Sequence, residues 1–440
     1  MSAAIVIVFI IGYLCIALEH PLKIDKSATA LITGVLCWVI LVLGTSGMPA
    51  GNELLGAGSE SGHHLNGLLS EHFGKISEIL FFLLGAMTIV ELVDAHDGFR
   101  IITDRITTTH PVRLLWLIVW ITFFLSAVLD NLTTAIVISA LLRKIIHQQE
   151  QRWVFGGFAI IAANAGGAWS PIGDVTTIML WIGGQVTTLN IIRATFLASI
   201  VSLLVPLLWI TFKLRKQQVP PLDPTSSHEE KVSTTKFEQS LIFLIGCLGL
   251  LWVPVFKTFT HLPPYMGILF SLGIIWVVTE WIHRSKASEV RQKYAVSSII
   301  QRIDTATIIF FLGILLAVAS LEVSGHLRLM ADGLNAALDN MYLINGLIGV
   351  ISSIVDNVPL VAACMGMYDF TIYPPDHDFW ELLAYCAGTG GSILIIGSAA
   401  GVASMSLLKI DFVWYLRRIS AYALLGYLSG IGMYYLQHHL

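Results

Sequence analysis

LSAVLDNLTTAIVISALL, residues 125–142, is an apolar run with an acid and an amide, Asp130-Asn131, at its centre. An ionisable side chain at mid-membrane costs at least ~2.5 kcal/mol by insertion scales, so its presence there points to function. The wider stretch 112–146 is interrupted at this pair. Each arm is shorter than, or barely equal to, the roughly 20 residues that cross a bilayer. A polar break inside an apolar stretch predicts a re-entrant hairpin whose tip lies within the membrane. Residues 342–368 repeat the pattern, interrupted at Asp356-Asn357-Val358-Pro359.

The rest of the chain agrees with lipid as the solvent. Of 440 residues, 55% are hydrophobic and 12% charged, where a soluble domain carries about 25% charged residues. So few charges cannot clothe a water-facing surface. The expected fold is an all-α integral membrane protein with about ten transmembrane spans, the first near 2–19 and the last near 411–436, plus the two hairpins. The first apolar run lacks a basic n-region and reads as a retained span. With the amino terminus outside, every full span crossing and each hairpin returning to its own side, all but Lys75, Arg193, Lys257 and Arg328 of the 25 Lys and Arg fall inside. That asymmetry is what the positive-inside rule requires. A bacterial inner membrane is the expected setting. No long basic run suggests nucleic acid, and Cys15, Cys37, Cys247, Cys364 and Cys386 fall in apolar runs as small hydrophobes. Residues 46–75 read as a Gly-rich outside loop, in which His63 and His64 read as solvated rather than as a metal site.

The two halves resemble each other in order. FFLLG (81–85) answers FFLG (310–313), LDNLTTA (129–135) answers VDNVPLV (355–361), and NAGGAWSPIGD (164–174) answers GTGGSILIIGS (388–398). The division is a first repeat, 1–212, with hairpin 112–146; a polar inside linker, 213–239; and a second repeat, 240–440, with hairpin 342–368. An odd number of crossings per half inverts the second copy in the membrane. Inverted repeats with broken helices at corresponding positions point to a transporter's binding site. Alternating access uses that symmetry; an enzyme does not need it. Neither HExxH nor GxSxG occurs, and the chain reads as no enzyme.

Three carboxylates, Asp130, Asp174 and Asp356, lie deep in apolar sequence beside the amides Asn131, Asn164 and Asn357. Glycines and Pro171 allow the flanking spans to unwind and expose carbonyls. Together with Thr133, Ser170, Thr389, Ser392 and Ser398, these groups make a hard oxygen cage suited to sodium held by Asp130, Asp174 and Asp356. Thr134, Thr176 and Thr177 are further hydroxyl candidates, although Ser and Thr in membrane helices often bond only their own backbone. A buried carboxyl holds a proton, and a bound cation displaces it. That competition suffices for exchanging sodium, with lithium as a second ion, against protons, with no cofactor beyond the transported ions.

The paired DN tips, the NAGGAWSPIGDVTT segment and the GTGGSILIIGSAAGVA segment resemble the NhaD-type sodium/proton antiporters, of the superfamily that includes arsenite, citrate and dicarboxylate carriers. The resemblance implies a scaffold domain, a homodimer, and a transport domain that carries both hairpins in an elevator-type movement. Dicarboxylate carriers place Ser-Asn-Thr clusters at the tips, where this chain has Asp130-Asn131-Leu132-Thr133 and Asp356-Asn357-Val358-Pro359. The alternative is a sodium-coupled carrier of a small anion or neutral solute. It needs a cationic or amide-rich pocket, and the midplane segments hold no Arg or Lys to build one.

Overall fold

The computed structural model describes residues 2–17, 19–45, 59–103, 108, 110–216, 234–338 and 340–439, and all regular structure among them is helical. Among the described residues, seven helices are long and apolar enough to cross a bilayer, namely Lys26–Gly44, Leu65–Ala95, Pro111–Leu129, Thr188–Leu214, Lys236–Thr260, Pro264–His283 and Thr305–Val323, or up to nine if each of two bent pairs is one span. The chain is therefore a multi-pass integral membrane protein. The ends of these helices follow their sequence. Pro111 and Pro264 occupy first turns, where a missing N–H costs nothing. Thr235 and Glu238 form a capping box, and Asp304 caps Thr305–Val323 through the Thr307 amide.

Several expected spans are shorter than full crossings because they break. The stretch 380–400 is two helices, Asp378–Gly390 and Ala399–Leu408, separated by the Gly-rich turn 391–398. The stretch 411–436 divides into Phe412–Arg418 and Ser420–His439, and 153–172 ends its helix at Ala168. The outside loop expected over 46–75 is helical from Ser59 onward, where LNGLLSEHFGKISEIL, 65–80, has residues of good helix propensity. Residues 46–58, most of the linker 217–233 and the side chains of His63 and His64 lie outside what is described.

The chain divides into two compact units. The first comprises 1–84, 304–340 and 358–374. In it, Lys26–Thr45 and Thr305–Val323 meet backbone to backbone: a Cβ on Gly34 would lie 2.5 Å from the Gly313 carbonyl oxygen. Small residues permit such an approach in lipid. Trp38 Nε1 donates to the Leu316 carbonyl at 2.9 Å across the same contact. The second unit comprises 85–303, 341–357 and 375–440. Its core packs Pro111–Leu129 and Asn131–Ile145 on Gln149–Ala168, through Leu115, Ile118, Phe123, Phe158 and Ala162. The first hairpin and both broken spans lie in this unit. So does the first arm of the second hairpin, Met341–Ile351, with Asp356 and Asn357, while its second arm from Val358 belongs to the first unit.

Candidate functional site

The first hairpin turns at a single residue. Asp130 ends Pro111–Leu129 and begins Asn131–Ile145, with φ +94°. This conformation is rare outside glycine, and it concentrates at functional sites where surrounding structure enforces it. The carboxylate stabilises the restart of the helix: Oδ1 accepts from the Thr133 amide at 2.8 Å and Oδ2 from the Thr133 hydroxyl at 2.8 Å. Asp174 does the same for the short helix Val175–Ile182, accepting from the Thr176 amide at 3.0 Å, but it is 1% exposed. Both acids cap half-helices. A carboxylate oxygen keeps a second lone pair after one such bond, so capping leaves each able to hold a cation or a proton.

Asn131 and Asn164 tie the pieces together. Asn131 donates its amide to Asn164 Oδ1 at 3.1 Å and to Asp174 Oδ2 at 2.9 Å. Asn164 donates to the Ser392 and Ser398 hydroxyls, each at 2.9 Å. One buried network therefore joins the first hairpin tip, the first broken span and the second broken span. Gly388 closes it, since a Cβ there would stand 3.3 Å from Asp174 Oδ2. The second hairpin tip contributes Asp356, half-buried, and Asn357, 6% exposed.

The remaining candidates divide by what their hydroxyls do. Ser170 donates to the Ala127 carbonyl at 2.5 Å and Thr389 to the Tyr385 carbonyl at 2.5 Å, which holds backbone in place rather than facing the network. Asn164 has both ends of its amide committed, which makes it a positioning residue. Thr134 and Thr177, in contrast, have buried hydroxyl oxygens with no hydrogen-bond partner. A buried unpaired hydroxyl costs about 1–3 kcal/mol, and a ligand that takes up its lone pair explains its retention. Carboxylate, amide and hydroxyl oxygens are the donor type that a hard cation takes. Among the described residues, no Lys or Arg hydrogen-bonds to this network.

Two contributions were not legible in the sequence. Lys257, read there only as one of the few outside charges, donates from Lys236–Thr260 to the Trp181 carbonyl at 2.7 Å and lies 4.4 Å over the Trp181 ring. It places a cation at the C-terminal end of the helix whose N-terminus is Asp174, where the helix dipole favours one. Ser126 and Ser352 each donate from a hairpin arm to a broken span, to the Ala163 and Ala387 carbonyls at 2.6 and 2.9 Å. Serines in apolar helices carry no mark that separates such clamps from bonds within their own helix.

A family model described as citrate transporter matches residues 8–390. The chain is 49% identical to "Sodium/proton antiporter 1" of Arabidopsis thaliana over all of its own length and 73% of the relative's. It is 46% identical to "Sodium/proton antiporter 2" of the same plant, over 98% of this chain and 99% of that one. It is 30% identical to "Na(+)/H(+) antiporter NhaD" of Vibrio cholerae, over 99% and 92%.

Proposed function

Because this chain belongs to the NhaD-type sodium/proton antiporters within the citrate-transporter family, we propose that it exchanges sodium ions for protons through the Asp130–Asp174–Asp356 site. The observation that carries the site is the network in which Asn131 reaches both Asn164 and Asp174, and Asn164 reaches the second broken span. It places a buried carboxylate where helices from both halves of the chain meet. In one state the acids hold protons. In the other they hold sodium, with Asn131 Oδ1 and the Thr134 and Thr177 hydroxyls completing an all-oxygen shell. Because one set of oxygens serves both, release of one ion is the condition for binding the other.

The halves act as inverted repeats, a reading supported by their matched contacts. A Cβ on Gly166 would lie 2.1 Å from the Phe123 carbonyl oxygen of the first hairpin, and one on Gly390 would lie 2.0 Å from that of Gly349 in the second. Asp174 and Ser398 cap the corresponding half-helices. An elevator-type movement of a transport domain carrying both hairpin tips, and a homodimer, complete the proposal on the strength of the family resemblance. The relatives come from plants as well as bacteria, so the membrane is assigned as a proton-energised one.

The test is made in proteoliposomes with an imposed pH gradient and a pH dye inside. Sodium added outside dissipates the gradient, lithium acts as a weaker second ion, and potassium and citrate leave it standing. Uptake of labelled citrate or succinate without proton release would move the assignment to a sodium-coupled anion carrier.

A further inference from the structure

The second unit holds a cluster of donors that the exchange chemistry does not use. Glu381, in the first turn of Asp378–Gly390, is 2% exposed. Its Oε2 accepts from the Tyr434 hydroxyl at 2.7 Å, and its other oxygen accepts from the Asn190 amide. His438, in the last turn of Ser420–His439, stands with Nε2 3.5 Å from Glu381 Oε2 and 3.9 Å from Asp378 Oδ1. Its other nitrogen, Nδ1, lies 3.0 Å from the Tyr434 carbonyl oxygen. A carbonyl only accepts, so Nδ1 carries a proton and Nε2 is the ring nitrogen turned toward the two carboxylates. That nitrogen and two carboxylate oxygens converge, all within 4.8 Å of one another.

We propose that Asp378, Glu381 and His438 form a binding site for a divalent transition-metal ion of the zinc class. The separations carry the assignment. At 3.5 and 3.9 Å they are long for an N–H···O bond, whose usual length is about 2.9 Å. Ligand atoms on adjacent corners of a tetrahedron around an ion at roughly 2.0–2.2 Å stand about 3.3–3.6 Å apart, a spacing that His438 and Glu381 already have and that Asp378 meets after a small rotation of its carboxylate. The surroundings match the outer shell of a metal site, in which the ligating imidazole donates its other N–H to a backbone carbonyl and the carboxylate is held by hydrogen bonds. Two carboxylates and a neutral imidazole also balance a double positive charge. A sodium ion would leave one negative charge uncompensated and would not use the nitrogen. Three protein ligands leave the fourth position to water. The ion would clamp the start of Asp378–Gly390 to the end of Ser420–His439. Gly388, which closes the network around Asp174, lies seven residues, about 10 Å, further along the first of these helices, so this site and the sodium site are separate and stand or fall independently.

The experiment uses tag-free, full-length protein in detergent, titrated with zinc chloride against a chromophoric chelator. One zinc ion binds per chain in competition with the chelator, and X-ray absorption of the loaded protein shows one imidazole nitrogen with carboxylate oxygens at about 2.0–2.2 Å. His438→Gln and Asp378→Asn each weaken binding at least about tenfold, while His439→Gln leaves it unchanged. Equal binding by wild type and His438→Gln places the zinc elsewhere and overturns the proposal. No binding at all overturns it too, and leaves the cluster as an ion pair of protonated His438.

Discussion

Asp130 and Asp174 each cap a half-helix, and a conservative substitution separates that role from the exchange proposed for them. Asparagine is as good an N-cap as aspartate and tolerates φ near Asp130's +94° better than most residues. Asp130→Asn and Asp174→Asn therefore keep the half-helices Asn131–Ile145 and Val175–Ile182, and the helical circular dichroism of the purified proteins stays at the wild-type level. Neither variant can hold an exchangeable proton at that position, and sodium-driven proton movement in proteoliposomes falls at least about a hundredfold. A variant that keeps wild-type exchange removes its residue from the mechanism. Thr177 gives a second, opposite signature. Its hydroxyl is buried without a partner, and replacing it by an isosteric apolar group removes a polar atom that the folded state leaves unpaired. Thr177→Val should leave the thermal unfolding midpoint at or above wild type while raising the KM for sodium several-fold. An unchanged KM would mean that the hydroxyl is no ligand. At this scale the sequence was informative where polar groups were concentrated: Asn131, Asn164, Asp174, Ser392 and Ser398 meet in one hydrogen-bonded network, while Asp130 beside it bonds Thr133. It was uninformative for Ser170 and Thr389, because a hydroxyl that ligates and one that bonds a carbonyl are the same letter until the backbone is placed.

At the scale of the element, the breaks in the spans are held by glycine contacts that leave no room for a side chain. Backbone oxygens cannot step aside as a flexible side chain would. An added methyl 2.1 Å from Phe123 O at Gly166, or 2.0 Å from Gly349 O at Gly390, forces the hairpin arm away from the broken span. Overpacking of this kind costs typically about 1–3 kcal/mol. Gly166→Ala and Gly390→Ala should lower the unfolding midpoint, followed by tryptophan fluorescence in detergent, by similar amounts. Gly74→Ala is the control: nothing lies within 4 Å of its Cβ, and it sits in the helix Ser59–Ala95. There alanine gains up to about 1 kcal/mol of helix propensity, and the midpoint holds or rises. A drop at Gly166 with none at Gly390 would deny the two halves their equivalence. The paired glycines were legible because periodic matches survive in sequence. The number of full spans was not, because hydropathy sums over a window and cannot see the unwound turn 391–398 inside 380–400 or the division of 411–436 at Ile419.

For the whole molecule, the number of exchangeable acids fixes how the transporter couples to voltage. The proposed site holds three carboxylates, Asp130, Asp174 and Asp356. Sodium adds one positive charge to such a cluster, so neutralising two acids when sodium leaves carries two protons for each ion and moves one net charge per cycle. One elementary charge crossing 100 mV corresponds to about 2.3 kcal/mol, which is roughly a fiftyfold shift in the sodium ratio at equilibrium. Proteoliposomes with equal pH on both sides and a potassium diffusion potential of 100 mV, set by valinomycin, supply that voltage alone. Sodium should then be driven across the membrane against its own gradient, towards the side made positive, opposite to the net movement of protons. Collapse of the potential with high external potassium abolishes the accumulation. If sodium stays level with the potential in place, one proton crosses per sodium ion and only one of the three acids exchanges. The other two then serve the fixed electrostatics of the site, and the Asp→Asn variants identify which one titrates.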